Sequence, residues 1–308
     1  MEIKESYPLV SIGIPTYNSS DRIRTALTSI SEQKYPNLEI IISDNCSTDN
    51  TQEVIQEICK SHPEIKYFRQ QTNIGMIQNF DFVLRRSSGK YYMWVSDDDM
   101  LEPGALLKYV AFLENNPDYS LASGEIRYWK DDVPDLIERG FSFEQNVRSM
   151  RVIGFYFTVV YGGLVHGLMR RELTRDVAIR LIIGNDYHFV ANLAYMGKIK
   201  NFDFIGYNKT FGGTSKNFQE YAKAMGESKF AGYFPHIKMA YDAYAEVMHR
   251  SPVYTQTSLF YRFPLAIASF SGIMFRYYVR IFPFAVGSQI RSFLMKTFGR
   301  GTRLSLLF

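Results

Sequence analysis

The first 125 residues predict an α/β fold with a mostly parallel sheet and flanking helices. Two observations support this prediction. Short β-branched runs alternate with longer helical patterns, which is typical of parallel strands joined by crossover helices. Apolar residues make up 46% of the 308 residues, enough for the core of one large domain or of one domain with a smaller addition.

Five strands are predicted at the short apolar runs of this half, at 9–14, 38–43, 65–69, 91–95 and 119–123. Four helices are predicted between them, at 21–31, 48–60, 76–86 and 103–115. Ser47, Thr48 and Asp49 are favoured helix N-cap residues. Pro103 suits a first helical turn, where its missing N–H is not needed.

The second half of the chain is less regular. Residues 124–146 are polar and lack periodicity, which predicts an excursion without strands or helices. The elements expected after it are a strand at 154–169, helices at 171–182 and 187–196, a strand at 198–207 and one long helix at 218–249. We therefore expect a first domain at 1–217 and a helical C-terminal region at 218–308.

Composition argues against several classes of protein. Cys46 and Cys59 are too few for a disulfide scaffold or a four-ligand zinc site, which fits a reducing cytoplasm. The N-terminus has no apolar segment of the kind that secretory signals carry. The uncharged stretch 152–169 approaches the length of a membrane span, but His166, a glycine pair and many β-branched and aromatic residues favour a buried strand.

The C-terminal segment, residues 251–308, is basic and aromatic. It has seven basic residues, thirteen aromatic residues and no acid, so the first 250 residues carry a net charge of −3. Pro264 and Pro283 divide its apolar stretches into pieces too short to span a bilayer. The pattern predicts peripheral contact with anionic lipid at the inner face of the cell membrane. Packing against the first domain or a second subunit is the alternative, and no nucleic-acid partner is expected.

Polar residues follow three of the predicted strands, at the carboxyl ends where parallel sheets bind ligands. They are Pro15 to Asn18 after the first strand, Asp44 to Asp49 after the second and Ser96 to Asp99 after the fourth. Neither GxGxxG nor GxxxxGK[ST] occurs in the chain, which argues against dinucleotide-binding and P-loop proteins.

Asp97, Asp98 and Asp99 directly follow the apolar strand YYMWV. Three adjacent carboxylates repel one another unless a cation compensates their charge. Mg²⁺ and Mn²⁺ prefer oxygen ligands, and Mg²⁺ is usually held by one or two carboxylates together with phosphate oxygens and water. The run therefore predicts a divalent metal site, with a solvated turn or a helix N-cap before Pro103 as the alternative.

Five segments in order resemble the inverting family 2 glycosyltransferases of bacterial type, which have the GT-A fold: VSIGIPTYN, IIISDNCSTDNT, NIGMIQNF, YYMWVSDDDML and GNDYHFVANLAYMGKI. The resemblance covers about residues 9–215. It implies a Rossmann-like catalytic domain at 1–217, followed by the basic and aromatic C-terminal extension.

The resemblance also implies roles for the matching residues on the donor side. The nucleotide-sugar pocket would be formed by Pro15, Thr16, Tyr17, Asn18, Asp44, Asn45, Asn73, Gly75, Asn79, Asp97 and Asp98. Asp44 would accept hydrogen bonds from the nucleobase. The metal would be held in the DxD region by Asp99 and Asp97, or by Asp99 and Asp98 if Ser96 stands at the first acidic position of an Asp-x-Asp-Asp motif.

Asp186 matches the family's catalytic base, which takes the proton of the acceptor hydroxyl as attack begins. Without the resemblance, an N-cap is the favoured role for Asp186, and Asn185 also suits that role. Further candidates for acceptor or phosphate contact are His166, Arg170, Arg171, His188 and the turn formed by Gly212, Gly213, Thr214 and Ser215. Core packing is the alternative for both histidines, and surface exposure for both arginines.

These assignments imply an inverting hexosyl- or deoxyhexosyltransferase that uses Mn²⁺ or Mg²⁺. Its donor would be a nucleotide-diphosphate sugar, and its acceptor a hydroxyl of a glycan or of a polyprenyl-diphosphate-linked sugar. Two other functions stay open on the residues alone. One is a nucleotidyltransferase, although PTYN lacks the glycine-rich basic loop expected of it, and the other is a catalytically silent scaffold that docks on membranes through its C-terminal segment. A homo-oligomer stays open as a further partner.

Overall fold

The fold centres on one mixed β-sheet. The structure, a computed structural model, describes residues 7–130, 133–159, 162–210 and 218–281. The strands of the sheet are β1 (Val10–Thr16), β2 (Leu38–Asp44), β3 (Ile65–Arg69), β4 (Tyr91–Trp94), β5 (Met100–Leu101), β6 (Tyr119–Lys130), β7 (Val133–Glu138), β8 (Leu168–Arg170) and β9 (Lys198–Thr210). Their order is β3-β2-β1-β4-β8-β6-β9-β5, and β7 pairs with β6.

One half of the sheet is parallel and the other is mixed. Strands β3, β2, β1 and β4 run parallel, while β8 lies antiparallel between β4 and β6. Strands β6 and β9 are again parallel, and the short β5 closes the edge antiparallel to β9. All seven residues of β1 are buried, as expected for a central parallel strand covered on both faces.

Helices cover both faces of the sheet. They are α1 (Ile23–Ser31), α2 (Thr51–Cys59), α3 (Met76–Arg86), α4 (Ala105–Asn115), α5 (Arg148–Thr158), α6 (Asn185–Met196), α7 (Phe218–Ala224), α8 (Lys229–Tyr233), α9 (Pro235–Ala245), α10 (Pro252–Thr255) and α11 (Leu259–Met274). Alternate residues of each strand serve opposite cores, because side chains of a strand point to alternating faces. Tyr92 and Trp94 join one core with α5 and α6, and Tyr91 and Met93 join the other with α1 and α4.

The prediction for the first half of the chain is confirmed. The predicted strand 65–69 and helix 76–86 match β3 and α3 residue for residue. The other predicted strands and helices lie where the structure has them, with ends that differ by a few residues. Helix α4 begins at Ala105, so Pro103 lies just before it.

The prediction of an irregular excursion at 124–146 is wrong. Strand β6 continues to Lys130, and β7 pairs with it as a hairpin. The alternation of apolar and polar residues that marks a strand is not visible in this segment, because polar side chains of β6 contact polar partners on the neighbouring strand. The Arg127 guanidinium donates to the Asn208 side-chain oxygen on β9 at 3.3 Å, and the Trp129 indole reaches the same oxygen at 3.0 Å.

Three further predictions for the second half are wrong. Of the predicted strand 154–169 only Leu168 and Met169 lie in a strand, β8, because α5 runs to Thr158 and buries Val152, Phe155 and Tyr156, which follow helical spacing. Only one turn of 3-10 helix, Arg171–Thr174, lies in the predicted helix 171–182. The predicted long helix 218–249 is divided, because Gly226 has a φ of +69° and Pro235 begins a new helix at α9.

Helix α11, which belongs to the C-terminal region, packs against α5 and α9. It therefore lies on the layer of helices that covers the sheet. Gly272 lies against the Phe157 ring, which allows the close approach of α11 to α5. None of the helices in the described residues is both long and apolar enough to cross a bilayer. Residues 282–308 of the predicted membrane segment lie outside the described residues, and the domain division at 217 and 218 stays a prediction.

Arg170, a candidate for phosphate contact, is used inside the fold. Its guanidinium donates to the carbonyls of Tyr119 at 2.7 Å, Leu113 at 2.6 Å and Asn116 at 3.1 Å. It also lies over the Tyr91 ring. These contacts join the end of α4 to the start of β6, and they occupy the donors that a ligand would need.

We expect Arg170→Met to lower the free energy of unfolding by about 3 kcal/mol or more, because hydrogen bonds to a charged group contribute about 1.5–3 kcal/mol each. Urea denaturation followed by circular dichroism measures the change. Arg175→Met is the matched control, since Arg175 is exposed, and it should shift the value by less than about 0.5 kcal/mol. An equal effect of both variants would contradict a structural role for Arg170.

Candidate active site

Parallel pairing brings the polar ends of β1, β2 and β4 to one edge of the sheet. Thr16 pairs with Asp44, the last residue of β2. The Thr16 hydroxyl donates to Asp97 Oδ2 at 2.6 Å, and the backbone N–H of Tyr17 reaches the same oxygen at 3.3 Å. Pro15 is buried in β1, one residue before Thr16. The PTY segment and the aspartate run therefore form one wall.

Asn18 closes the turn after β1. It has a φ of +51°, a conformation that asparagine tolerates better than most residues. Its side-chain oxygen accepts the backbone N–H of Thr48 at 2.8 Å, and its own N–H donates to the Ser47 hydroxyl at 2.9 Å. The loops after β1 and β2 are thereby tied together, while the side chain of Tyr17 is exposed.

Asp44 is fully buried and its oxygens are occupied by the protein. Oδ1 accepts the N–H of Ser47 at 2.7 Å, and Oδ2 accepts the Tyr67 hydroxyl at 2.9 Å and the Arg69 guanidinium at 3.0 Å. Hydrogen bonding to Asp44 and burial raise the pKa of the Tyr67 hydroxyl. In this structure Asp44 orders the loop that would line a nucleobase pocket.

On the same side of the site as Asp44, three asparagines form hydrogen bonds within the protein. Asn45 donates to the Asn73 side-chain oxygen at 3.0 Å, and that oxygen also accepts the N–H of Gly75 at 2.9 Å. Gly75 has a φ of +91°, which favours glycine. Asn79 is buried and exchanges two hydrogen bonds with Ser43. Asn45, Asn73 and Gly75 therefore form a continuous rim, and Asn79 supports it from beneath.

Asp99 and Asp98 differ in their surroundings. Asp99 is buried, and its Oδ1 accepts the N–H of Thr210 at 2.9 Å while its Oδ2 accepts the Tyr207 hydroxyl at 3.0 Å. Asp98 has one described cationic contact within 4 Å, the exposed Arg22 guanidinium at 3.5 Å. Burial, with repulsion from Asp99 and Asp97, raises the pKa of Asp98 to about 6. Negative charge on Asp98 is thus poorly compensated by the protein.

A divalent cation fits this corner at Asp98 better than at Asp99. Asp98 is an under-compensated oxygen donor, with Asp97 next to it, whereas both Asp99 oxygens already accept protein hydrogen bonds. Among the described residues, no three histidine, cysteine or acidic side chains converge as a complete ligand set. A cation here would therefore complete its coordination with phosphate oxygens and water, as Mg²⁺ commonly does.

Asp186 lies in the first turn of α6. Gly184, with a φ of +74°, turns the chain into the helix. The Asp186 side chain lies directly against the backbone of Gly162, where a Cβ atom would be only 1.9 Å from Asp186 Oδ2. Burial raises the pKa of Asp186, and the cations Lys209 and Arg276 partly offset that rise. A carboxylate with a raised pKa is a suitable proton acceptor.

Glu138 lies beside Asp186 and was not expected there. The glycine next to Gly162, Gly163, faces the Glu138 carboxylate, where an added Cβ would be 2.6 Å from Oε2. Burial raises the pKa of Glu138, and the charge of Asp186 adds to the rise. The Tyr128 hydroxyl donates to Glu138 at 2.8 Å. Because the sequence around Glu138 lacked a strand pattern, nothing in it indicated this second acid.

The remaining candidates are divided between the cleft and the interior. His166 lies between β4 and β9, with its Nε2 3.0 Å from the Lys209 ammonium. His188 is buried, its Nδ1 lies 3.0 Å from the Tyr156 hydroxyl, and burial lowers the pKa of its ring to about 4. His188 therefore packs in the core. Gly212, Gly213, Thr214 and Ser215 lie outside the described residues.

Comparison with known sequences identifies the family. The sequence model described as Glycosyl transferase family 2 matches residues 11–176, more than half of the chain. This chain belongs to that family. Membership supports sugar transfer over the nucleotidyltransferase and scaffold alternatives, and the matched region contains β1 to β8 with the aspartate run.

Individual relatives agree with this membership. A Campylobacter jejuni protein named GalNAc(5)-diNAcBac-PP-undecaprenol beta-1,3-glucosyltransferase is 38% identical over 100 residues, which are 32% of this chain and 32% of that protein. The chain spans less than half the length of the curated relatives it matches.

Solved structures show the same fold at low identity. S. aureus TarS 1-349 in complex with UDP-GlcNAc superimposes with a TM-score of 0.60 at 18% identity, over 88% of this chain and 76% of that one. The mannosyltransferase PcManGT from Pyrobaculum calidifontis, in complex with GDP-Man and Mn²⁺, gives a TM-score of 0.56 at 17% identity, over 94% and 81%. The GT-A fold expected from the sequence is therefore confirmed.

We expect Gly162→Ala to lower sugar-transfer turnover by about ten- to a hundred-fold, because a small displacement of a reacting group has effects of that size. The added methyl would meet Asp186 Oδ2 and push the carboxylate aside. Initial-rate measurement and nucleotide titration separate turnover from donor affinity, which should be unchanged. Gly154→Ala is the control, since its Cβ would make ordinary contacts, and a normal rate for Gly162→Ala would contradict the close placement of Asp186.

Proposed function

We propose that this chain is an inverting, metal-dependent glycosyltransferase that moves a sugar from a nucleotide-diphosphate donor to an acceptor hydroxyl. The observation that carries the proposal is the presence of an acidic corner and of a separate acid with a raised pKa. Asp97 and Asp98 form the corner beside the nucleotide rim, and Asp186 lies in the first turn of α6, where burial raises its pKa. A base at Asp186 and a leaving diphosphate at the corner would suit a single displacement with inversion.

Asp186 is the proposed base. Its carboxylate accepts the proton of the acceptor hydroxyl while the hydroxyl oxygen attacks the anomeric carbon. The bond from that carbon to the diphosphate oxygen breaks, its electron pair leaves with the diphosphate, and the transition state has oxocarbenium character. Burial raises the pKa of Asp186, while backbone N–H groups of α6 and the cations Lys209 and Arg276 lower it and so favour the ionised form that can act as a base.

Asp98, with Asp97 beside it, is the proposed holder of Mn²⁺ or Mg²⁺. When bound, the cation would supply Lewis-acid stabilisation of the leaving diphosphate. Asp97 is itself held by Thr16 and Tyr17, so the corner is preorganised by the strand that forms the nucleotide rim. The Mn²⁺ complex of PcManGT supports this assignment by fold alone.

The proposed donor and acceptor rest on the relatives. TarS and PcManGT were crystallised with UDP-GlcNAc and GDP-Man, which supports a nucleotide-diphosphate sugar as the donor. The named C. jejuni relative acts on an undecaprenol-linked glycan, which supports a polyprenyl-diphosphate-linked sugar as the acceptor. A hexose or deoxyhexose is the proposed sugar.

Asp186→Asn should lower turnover by about 10²–10⁴-fold while donor affinity stays within about two-fold, because the amide cannot take the acceptor proton and base catalysis contributes an effect of that size. Asp176→Asn changes an exposed acid and is the control. Radiolabelled sugar transfer measures the first quantity and calorimetric nucleotide titration the second. Unchanged turnover would remove Asp186 from the base role.

The same variant tests the electrostatics of Asp186. Since burial raises the pKa of Asp186 in the folded chain, folding favours the protonated form, and stability falls as pH rises through that pKa. Asp186→Asn should therefore raise the melting temperature at neutral pH and flatten its pH dependence above the ordinary aspartate pKa of about 4. A lower melting temperature across the whole range would show that the charge is stabilising.

We also propose that the start of α11 contacts the membrane surface. Leu259, Phe260, Tyr261 and Phe263 are exposed, and Phe260 retains 82% of its surface. The segment 251–308 to which they belong carries seven cations and no acid. Aromatic exposure next to uncompensated positive charge matches an anionic bilayer surface, and it would bring the enzyme to a lipid-linked acceptor.

The double substitution Phe260→Ser and Tyr261→Ser should weaken binding to vesicles with 30% phosphatidylglycerol by about ten-fold or more, because each aromatic ring loses its burial in the interface. Vesicle sedimentation at several salt concentrations measures this. Leu107→Ser, an exposed residue of α4, is the control. If the parent protein ignores vesicles but elutes as a dimer that the double variant dissociates, the face is an oligomer interface instead.

A further inference from the structure

Lys209 is a cation of the cleft that nothing in the sequence singled out. It is the residue before the last of β9, and its side chain is 31% exposed. The ammonium lies 3.0 Å from His166 Nε2 and 3.5 Å from Asp99 Oδ2. An ammonium has three N–H donors, and its contacts with the described residues use two of them.

The neutral imidazole of His166 is the group that accepts a hydrogen bond from Lys209. Its ring stacks on Tyr207 with centroids 4.5 Å apart, and its Nδ1 lies 3.3 Å from the carbonyl oxygen of Trp94. Burial and the Lys209 charge lower the pKa of His166 to about 3, so the ring stays neutral. Nδ1–H then donates to the carbonyl, and the Nε2 lone pair accepts from Lys209.

Asp99 fixes the end of β9 from the other side. It accepts the Tyr207 hydroxyl at 3.0 Å and the backbone N–H of Thr210 at 2.9 Å, and these two residues flank the position of Lys209. The Thr210 hydroxyl also donates to the carbonyl of Asp98 at 2.7 Å. The lysine is therefore held rigidly beside the acidic corner.

The charge of Lys209 acts on both sides of the cleft. It lowers the pKa values of Asp98 at the corner and of Glu138 and Asp186 on the base side, which burial raises. The ammonium, which contacts Asp99 at the end of the aspartate run, is therefore also near enough to Asp186 to act on its charge. Its shortest described contact is nevertheless with the neutral imidazole of His166. The positive charge of Lys209 is therefore not fully neutralised by a close ion pair with one acid.

We propose that Lys209 binds the diphosphate of the donor and remains on it as it leaves, with His166 and Asp99 as positioning residues. The inference rests on the proposed function, because only a donor with a diphosphate places negative charge between corner and base. When the anomeric carbon–oxygen bond breaks, its electron pair goes to the diphosphate oxygen that Lys209 contacts. Lys209 keeps its protons, and Asp186 takes the proton of the acceptor.

Nucleotide titration of the full chain tests the proposal, with UDP against UMP and GDP against GMP, each with Mn²⁺ and again with chelator. The parent protein should bind the diphosphate of one pair more tightly than the monophosphate. Lys209→Met should reduce that preference about ten- to a hundred-and-fifty-fold with or without metal, since a hydrogen bond to a charged group is worth about 1.5–3 kcal/mol. Monophosphate affinity should be unchanged, and Lys209→Arg should restore most of the preference.

The matched control is Lys200→Met, on the same strand and also paired with an acid, Glu144, at 3.3 Å. It should leave all four affinities unchanged. An undiminished diphosphate preference in Lys209→Met overturns the role of Lys209 and leaves the proposed function standing. A parent protein that binds none of the four nucleotides overturns both.

A second measurement uses the parent protein and does not depend on the folding of any variant. Acetylation of Lys209 by acetic anhydride, followed by mass spectrometry, should slow at least five-fold with saturating diphosphate nucleotide and little with the monophosphate. Lys200 should react at the same rate in both cases. Equal labelling of Lys209 with both nucleotides would show that its ammonium does not touch the second phosphate.

Discussion

The buried carboxylate of Asp99 is the contact on which the geometry of the cleft depends. It follows the parallel half of the sheet, yet its hydrogen-bond donors, Tyr207 and Thr210, belong to β9 in the mixed half. An ionised carboxylate removed from water is tolerated only when such donors satisfy it. The end of β9 is therefore held beside the aspartate run, and the cleft is fixed from both halves of the sheet.

A few charged groups in the cleft partly offset one another. Asp98, Glu138 and Asp186 are each held where burial disfavours the ionised form, so each has a raised pKa. Lys209 lies among them and offsets part of the penalty for all three. A ligand that brings a metal cation and a diphosphate adds charges of both signs, so it can enter without disturbing this balance.

Much of the donor side could be predicted from the sequence because local patterns determine it. Strand β3 and helix α3 have clear periodicity, and the polar residues after β1, β2 and β4 must meet because parallel strands end at one edge. Glu138 and Lys209 could not be predicted in this way. Glu138 lies on a strand whose polar residues hid its pattern, and Lys209 gains its meaning only from the pairing of β6 with β9. Helix α5 was misjudged because its aromatic and β-branched residues resemble those of a strand.

The fully buried Arg276, just beyond α11, has a consequence for how the chain can vary. Its guanidinium donates to the Val159 carbonyl and lies 5.1 Å from the centre of the Tyr187 ring, and Tyr187 directly follows Asp186. The packing beside Asp186 is thus supplied in part by a residue about ninety positions away in the sequence. Exchange of C-terminal regions between relatives would replace Arg276 together with the exposed aromatic face at the start of α11, so the two features would be inherited as one unit.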